Sequence, residues 1–413
     1  MKMKNMLRKL VLFAYTLVLA SLFNTCLPSQ SFAAFMDRGP YLENFTAKTG
    51  VVRFRVDVST PAWFAYGTDP VCDKFQIFSP KAREHKINLF GLTPDTTHCY
   101  KIYLPADGTD SVYEAEQGYF NSFPDKDKDE FSFLAFGESG AGTAAQYRIA
   151  DIMGDLTPTL VIHTGGLVST GLDKDADYQY FQPYSTITAR VPFYPALSPS
   201  EYGPNKSSAQ SAKNFLRYQF TSYHSIPYTG QLPNFYFVDV GKARFFFLDT
   251  SFYSGVQSAP TLAKGSKQYL WLEKYLANAN KKDAAGKPEL IWKFIVMNAP
   301  LYSSGPHQPD PEMFEAIEPL LAKYKVDMVF QGMNRHYERT RLVKNGQIDE
   351  SGVAYITLGG GGRSLENKTQ DNEWTEIFSK SYHFAVITVK GRSLTLTVYD
   401  DNADVIDSVE LQK

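Results

Sequence analysis

The chain has 413 residues, of which 43% are hydrophobic, so it is long enough to form two or three domains with buried cores. Its 42 basic and 44 acidic residues give a formal net charge of -2. This mildly acidic balance, without a basic stripe along the chain, argues against nucleic acid as a partner.

Residues 1–34 have the pattern of a secretory signal peptide. Basic residues precede the apolar run 10–23, and residues 31–34 supply small side chains for cleavage. The run is short for a membrane span, and no later stretch is long and apolar enough to be a transmembrane segment of the mature chain. We therefore predict an exported protein, located in the periplasm or outside the cell.

The cysteines leave one pairing open. Cys26 lies in the predicted leader, and an oxidising compartment would permit a disulfide between Cys72 and Cys99. The alternative is two unpaired buried thiols, because a sequence does not give the distance that a disulfide requires.

Residues 36–123 are predicted to form an all-β domain. Apolar and polar residues alternate along Val51–Val58, as in a strand with one buried face, and similar runs follow at 62–66, 85–90 and 98–104. The turn residues between these runs indicate a small β-sandwich. The segment Gly91–Tyr100 resembles the signature that precedes the late strands of fibronectin type III domains.

The charged stretch 124–130 has nothing to bury and is predicted to be a linker. Over residues 131–413, apolar strands alternate with helical patterns, which indicates a layered α/β domain. The predicted strands are 131–136, 159–163, 193–197, 244–248, 293–297, 328–330 and 354–358. The predicted helices are 144–153, 210–220, 267–279 and 313–323, and a β meander follows at 382–389, 394–399 and 405–411.

Loops that follow the predicted strands of this second domain carry motif-like residues. In chain order they contain Gly137-Glu138, Gly165-Gly166, Ser198-Pro199-Ser200-Glu201, Asn298 and Gly332-Met333-Asn334-Arg335. Their order and placement resemble the calcineurin-like metallophosphoesterases, in particular the purple acid phosphatases. The resemblance implies a metallophosphoesterase-like β-sandwich flanked by helices, preceded by a fibronectin-like domain. It also implies a site at the carboxyl ends of the strands.

In that family the same loops supply the ligands of two metal ions and a histidine that handles the substrate phosphate. Here Glu138 replaces an aspartate and is one methylene longer, whereas the other positions compared carry residues that cannot do the same work. The substituted positions are Gly166, Pro199, Ser200 at the place of the catalytic histidine, Asn298, Met333 and Arg335.

These substitutions predict that no dinuclear metal centre forms and that no cofactor is needed. Two divalent cations about 3.5–4 Å apart repel each other by about 19 kcal/mol at an effective dielectric of 20, so several ligands must offset that repulsion. Arg335 would instead bring a permanent positive charge. If a metal binds at all, we expect a single divalent ion, held by Glu138 with ligands such as Glu201, Asp249 or His307.

Two hypotheses concern the pocket. We predict that Glu138 and Arg335 form an internal ion pair in the former metal cavity, because buried charges are rarely left unpaired; the alternative is that both stay solvated and apart. His307 stands near the place of a phosphate-contacting histidine in the family, and it could form a metal-free anion site with Arg335. The alternative for His307 is a surface loop histidine.

Three further patterns receive structural explanations. His163 lies inside an apolar strand and is predicted to be a hydrogen-bonded core histidine, while His224, His336 and His383 are predicted to be structural or exposed. The run Gly359–Gly362 would let the backbone pass close to neighbouring loops. The segment 140–143, before the first predicted helix, offers a generic weak anion site.

The predicted function is therefore that of an exported, catalytically inactive pseudophosphatase that acts by binding. A phosphomonoester hydrolase with residual or altered metal-dependent activity is the alternative. A third hypothesis is a structural or envelope-associated module that binds through its β domain. The ligand would be a phosphate or phosphoester, a protein, or a component of the cell envelope.

Overall fold

The structure is a computed structural model that describes residues 33–106, 111–203 and 234–413. Nearly all of the predicted signal peptide, with Cys26, lies outside the described residues, as do the predicted helix 210–220 and His224. Among the residues that are described, no helix has the length and apolar character needed to cross a bilayer.

The first part of the chain consists of strands, as predicted. They are β1 Met36–Glu43, β2 Thr49–Thr68, β3 Phe75–Phe90, β4 Thr97–Pro105 and β5 Val112–Asn121. All pairings are antiparallel, in the order β1-β2-β4-β5, and β3 also pairs with β2. The two predicted runs 51–58 and 62–66 belong to one strand, because β2 continues through a shift of register between Arg55 and Thr60.

A disulfide joins Cys72 and Cys99. Cys99 lies in β4 and is fully buried, and Cys72 lies in the connection between β2 and β3. Of the two alternatives that the sequence left open, the structure therefore contains the bridge.

The second part of the chain contains two large sheets. The strands of the first sheet are β6 Glu130–Phe136, β7 Leu160–His163, β8 Phe193–Pro195, β18 His383–Lys390, β19 Ser393–Asp400 and β20 Val405–Gln412. The strands of the second are β9 Tyr236–Val240, β10 Ala243–Phe247, β11 Trp292–Met297, β12 Met328–Gln331, β13 Tyr337–Thr340, β16 Ala354–Leu358 and β17 Thr375–Ser379. The short strands β14 Val343–Lys344 and β15 Gln347–Ile348 pair with each other.

The helices are α1 Ala144–Gly154, α2 Asp173–Ala176, α3 Ser185–Thr188, α4 Lys267–Ala279 and α5 Pro311–Lys323, with a π-helical segment Asp177–Phe181 and a 3-10 turn Ser251–Ser254. Thr143, Ser266 and Asp310 cap the three longer helices, since each side chain accepts a backbone N–H bond from the first turn. The three predicted helices among the described residues are thus confirmed.

The two sheets face each other across an aromatic core. The ring of Phe133 in β6 lies 4.9 Å from that of Phe245, 5.5 Å from Phe294 and 5.8 Å from Phe330, all in the second sheet. On the outer side of that sheet, α4 and α5 contribute buried side chains such as Leu272 and Ile317. The predicted layered α/β sandwich is therefore present.

Parallel pairing places the functional loops at one edge. β6, β7 and β8 are mutually parallel in the order β6-β7-β8, and β10, β11, β12 and β16 are parallel neighbours in the second sheet. The carboxyl ends of parallel strands lie at the same edge of a sheet. The loops after β6, β7, β8, β11 and β12 therefore come close to one another.

We expect the double variant Cys72→Ser/Cys99→Ser to lose about 3 kcal/mol of unfolding free energy, because the bridge restricts the unfolded chain across a sequence separation of 27 residues. Urea denaturation followed by circular dichroism, with and without reductant, measures the loss. Reductant should lower the midpoint of the wild type and leave that of the variant unchanged. A wild-type midpoint that is insensitive to full reduction contradicts this expectation.

Candidate functional site

Glu138 lies at the centre of the candidate site, directly after β6. Its backbone has φ +52°, in the left-handed region that costs a side-chain-bearing residue about 1–2 kcal/mol. Its side chain is buried and lies over Gly166, where an added Cβ would be 2.5 Å from Oε2 of Glu138. The longer carboxylate thus takes the space that a side chain at position 166 would need.

Three groups from three different loops bind the Glu138 carboxylate. The amide Nδ2 of Asn298 donates to Oε1 at 2.8 Å, and the backbone N–H of Met333 donates to the same oxygen at 3.3 Å. Nη1 of Arg363 donates to Oε2 at 2.9 Å. Positions 138, 166, 298 and 333, which the sequence predicted to be degenerate metal positions, are therefore brought together.

The guanidinium of Arg363 connects the loops of the site. Besides its ion pair with Glu138, Nη2 donates to the carbonyl of Val168 at 2.8 Å and to Oγ of Ser200 at 3.2 Å. Nε donates to the carbonyl of Gly140 at 3.4 Å. A single cationic side chain therefore bonds to the loops after β6, β7 and β8.

The predicted Glu138–Arg335 ion pair is wrong. Nη2 of Arg335 pairs with Glu366, its backbone N–H donates to Oε2 of Glu366 at 3.0 Å, and its Nε donates to the carbonyl of Ser364 at 2.7 Å. Arg335 binds the segment 364–366 instead of Glu138, because that segment offers both a carboxylate and a carbonyl to the planar guanidinium donors.

The glycine run 359–362 explains how Arg363 reaches the site. An added Cβ at Gly359 would clash with the carbonyl of Asn334, and one at Gly361 would clash with the carbonyl of Gly137. The N–H of Gly361 donates to that Gly137 carbonyl at 2.8 Å. The predicted close approach of the backbone is confirmed. The sequence interpretation missed Arg363, although a cation directly after such a run was the available signal.

Glu201 joins the loops after β7 and β8 through hydrogen bonds to its buried side chain. Its fully buried carboxylate accepts N–H bonds from Ser198 at 2.7 Å, Leu167 at 2.7 Å and Val168 at 3.2 Å. Burial raises the pKa of Glu201, while the bonds from Ser198 and the charge of Arg363 oppose that rise. Its oxygens are engaged by backbone donors, so Glu201 does not fit the ligand role considered from the sequence.

Asp249 is also engaged away from Glu138. Its carboxylate accepts bonds from the hydroxyl of Tyr202, from Nδ2 of Asn234 at 3.1 Å and from the backbone N–H of Ser251 at 3.0 Å. Burial raises the pKa of Asp249, and these bonds oppose the rise. It too lacks the free oxygens that a metal ligand at the Glu138 site would present.

His307 and Arg335 meet around an internal carboxylate. Nε2 of His307 lies 3.5 Å from Oε1 of Glu366, the same oxygen that pairs with Arg335. The sequence gave no hint of Glu366, because it lies outside every family-like loop. The anion site predicted for His307 and Arg335 stays a prediction. The carboxylate of Glu366 lies between these two side chains, where the anion would bind.

The segment 140–143 likewise has an internal acceptor. The backbone N–H groups of Ala141 and Gly142 donate to Oε1 of Gln146 at 3.2 and 2.8 Å. The hydroxyl of Thr143 accepts from the N–H of Gln146 and donates to the carbonyl of Gly362. These donors are engaged within the protein rather than directed at an anion.

The histidines near the site are structural. His163 is fully buried, its Nδ1 accepts the N–H of Gly165 at 3.1 Å, and its Nε2–H therefore donates to Oγ of Ser139 at 3.0 Å. Burial, with the charge of Arg363, lowers the pKa of His163 to about 3. The prediction of a hydrogen-bonded core histidine is confirmed. His336 is buried beside Glu338 at 3.3 Å, and burial lowers the pKa of His383 to about 4.

The residues at these positions do not fit a two-metal centre. Over residues 33–106, 111–203 and 234–413, no three His, Cys, Asp or Glu side chains are grouped so that they could hold an ion. The remaining carboxylate, Glu138, is bonded to Asn298 and Arg363. A guanidinium is permanently charged and repels a cation that approaches the same carboxylate.

The known proteins that the chain resembles in sequence include purple acid phosphatases. No protein-family model matches it. Purple acid phosphatase 13 of Arabidopsis thaliana is 25% identical over 328 residues, which cover 70% of this chain and 56% of the relative. Purple acid phosphatase 18 of the same plant is 34% identical over 146 residues, covering 34% of this chain and 32% of the relative. The chain thus spans about half or less of the curated relatives it matches.

Solved structures resemble most of the described fold. Purple acid phosphatase PPD1 from yellow lupin seeds (Lupinus luteus) has a TM-score of 0.75 at 18% identity, covering 93% of this chain and 75% of that one. PhoD has a TM-score of 0.69 at 12% identity, covering 92% and 94%. GAP50, the anchor in the inner membrane complex of Plasmodium, has a TM-score of 0.52 at 19% identity, covering 69% and 89%. At these identities the likeness concerns the fold alone.

We expect Arg363→Met to lower the unfolding free energy by about 3–5 kcal/mol, because it leaves the buried Glu138 carboxylate without its cation. The double variant Glu138→Gln/Arg363→Met should be less destabilised than the two single variants together. Chemical denaturation of all four proteins gives this coupling.

Arg341→Met is the matched control, because the Arg341–Glu376 pair is about half exposed and its loss should cost less than about 1 kcal/mol. Equal losses in the Arg363 and Arg341 variants contradict the central role of the Glu138–Arg363 pair.

Acid should destabilise the protein through His163. The unfolded state takes up a proton as the pH falls below about 6.5, whereas the folded state stays neutral down to a pKa of about 3. Between pH 8 and pH 5 this difference removes about 2 kcal/mol of unfolding free energy. Denaturation of wild type and His163→Gln at both pH values measures it, and the variant should lose about 2 kcal/mol less. Parallel pH profiles of the two proteins would exclude this contribution.

Proposed function

Since the chain has the calcineurin-like metallophosphoesterase fold of the purple acid phosphatases, we propose that it is an exported pseudophosphatase that acts by binding rather than by hydrolysis. One observation carries the proposal: Glu138, at a position where the resembling family binds metal, forms an ion pair with Arg363. The activity, substrates and partners of the longer relatives are not assumed for this chain.

The ion pair supports the absence of hydrolysis in two ways: Arg363 brings a single positive charge, and its donors are already bonded to protein groups. Two-metal hydrolysis needs cations that activate a water molecule and neutralise the phosphate. Arg363 contributes one fixed positive charge, and its donors are used by Glu138, Val168 and Ser200. A guanidinium cannot lower the pKa of a coordinated water as a metal does, so Arg363 does not supply the means to generate the nucleophile.

Ser200 leaves a second requirement of phosphate hydrolysis unmet. It stands at the place of the family's catalytic histidine, and its hydroxyl accepts a hydrogen bond from Arg363. A serine hydroxyl carries no positive charge near neutral pH and does not replace an imidazole as a proton donor to a leaving group. Among the described residues around Glu138, Arg363 and Ser200 thus supply neither a water-activating metal charge nor the imidazole found at this place in the resembling family.

A binding role is supported by the breadth of this fold. GAP50 is described as an anchor in the inner membrane complex of Plasmodium, so proteins with a related fold include one with an anchoring description. For this chain, we propose that binding involves a phosphate compound, a protein or an envelope component.

Export and the identity of the first domain are parts of the same proposal. The leader-like residues 1–34 and the Cys72–Cys99 disulfide both support an oxidising compartment, periplasmic or extracellular. The five antiparallel strands between Met36 and Asn121 support a fibronectin type III-like domain over 36–123, with a linker at 124–130 and the metallophosphoesterase-like domain over 131–413.

Metal content and hydrolysis test the proposal together. After incubation with iron, zinc or manganese and gel filtration, we expect far less than one metal ion per chain and no hydrolysis of a generic phosphomonoester. Glu138→Gln is the matched control, because it removes the carboxylate of the site and keeps its shape. Near-stoichiometric metal, or hydrolysis that Glu138→Gln abolishes, overturns the proposal and supports the alternative, a hydrolase with residual or altered metal-dependent activity.

A further inference from the structure

A cavity lies at the opposite end of the strands from Glu138. It has a volume of about 420 Å³ and opens where α4 ends, where β11 begins and where β12 is about to begin. Lys293 is the second residue of β11, and Asn298 at the candidate site follows the end of the same strand. At 3.3 Å per residue the two ends are roughly 16 Å apart, so the cavity is separate from the former metal site.

The charged side chains that line this cavity are mostly basic. Asp327 is the only acidic residue among the described residues that line it. The basic residues of the lining are Lys282, Lys293, Lys325, Arg392 and Lys413. The cavity therefore has a clear excess of positive charge in a protein whose net charge is slightly negative.

Asp327 is already committed to two partners. Its Oδ2 accepts the backbone N–H of Lys293 at 2.7 Å, and its Oδ1 pairs with Nζ of Lys413 at 2.7 Å. It cannot give each of the other cations a direct partner. Among the described residues, the side chains of the lining thus carry more positive charge than the Asp327 carboxylate neutralises. Nε of Arg392 donates to the main-chain oxygen of Lys413 at 2.9 Å.

Lys293 is the most informative of these residues. It is only 6% exposed, and its ammonium group donates to Oδ1 of Asn280 at 2.6 Å. An ammonium group has three donors, so one amide oxygen does not use its full capacity. Burying a lysine at the edge of a cavity is costly unless an anion compensates its charge.

Helix ends explain only part of the basic lining. Lysines are favourable near helix C-termini, where the backbone carbonyls carry partial negative charge. This accounts for Lys282 and Lys325, which follow the ends of α4 and α5. It does not account for Lys293 in a strand, Arg392 in the turn between β18 and β19, or Lys413 after β20. Residues from both sheets thus bring cations to one cavity.

The cations also act on one another. Burial, with repulsion from Lys413 and Lys325, lowers the pKa of Lys293 to about 8, although Asp327 opposes the shift. A bound anion would relieve this repulsion and favour the charged lysine.

We propose that this cavity is a binding site for a small, multiply charged phosphate compound. Phosphate oxygens would accept hydrogen bonds from Lys293, Lys325 and Arg392, since ammonium and guanidinium groups are strong donors to phosphate. Leu290 and Ile291 line the same cavity and offer an apolar wall to an organic part of the ligand. This site does not depend on the inactivity of the Glu138 site, and a hydrolase with the same fold would retain it.

Calorimetric titration of the full chain with inorganic pyrophosphate, at constant ionic strength, tests the proposal. We expect micromolar to submillimolar binding by the wild type and about tenfold weaker binding by Lys293→Met, as for the loss of one charge-assisted bond. Lys325→Asn is the second variant, because asparagine tolerates the left-handed backbone at this position, where φ is +53°. It should also weaken binding without a loss of folding.

Lys274→Met is the matched control, because Lys274 is an exposed residue of α4 that does not line the cavity. It should bind pyrophosphate like the wild type. At pH 8, binding by the wild type should take up more protons, or release fewer, than binding by Lys293→Met, because the ligand titrates in both proteins and Lys293 only in the wild type. Titration in buffers of different ionisation enthalpy measures this difference. No binding by the wild type, or equal binding by Lys325→Asn and Lys274→Met, overturns the proposal.

Discussion

The ion pair between Glu138 and Arg363 is the interaction on which the arrangement of the candidate site depends. Glu138 has a left-handed backbone conformation, which is unfavourable for a residue with a side chain. Its side chain is also buried, which is unfavourable for a carboxylate without a partner. Arg363 compensates the buried charge, because its Nη1 lies 2.9 Å from Oε2 of Glu138. The same guanidinium also bonds to Val168 and Ser200, so the charge that neutralises Glu138 also fixes the loops around it.

Several substitutions that look unrelated in the sequence make sense together around this pair. Gly166 provides the space into which the longer Glu138 side chain extends, and Asn298 donates to its carboxylate. The glycine run lets the backbone before Arg363 pass against Gly137. Glu201 holds the loops after β7 and β8 together through backbone N–H groups. The site is thus a connected polar network in which positions 166, 298 and 333, compared above with the metal-binding positions of the resembling family, surround an internal carboxylate.

The sequence predicted the local structure better than the pairing of charges. Strands such as β6 and β16, and helix α4, were correctly placed because apolar runs and helical periodicity are local signals. The predicted partner of Glu138 was wrong because the choice between Arg335 and Arg363 depends on where two loops travel in space. Glu366 was missed for the same reason, since nothing in its neighbours marks it as the partner of Arg335. The long strand β2 was divided in two because a shift of register resembles a turn in sequence.

Because Arg363 is part of the chain, the cation beside Glu138 does not depend on the composition of the surrounding solution. A dissociable ion occupies its ligands only in proportion to its abundance outside, whereas a tethered guanidinium is present at a fixed stoichiometry of one per molecule. The loops that it joins would consequently hold the same shape in metal-rich and metal-starved environments.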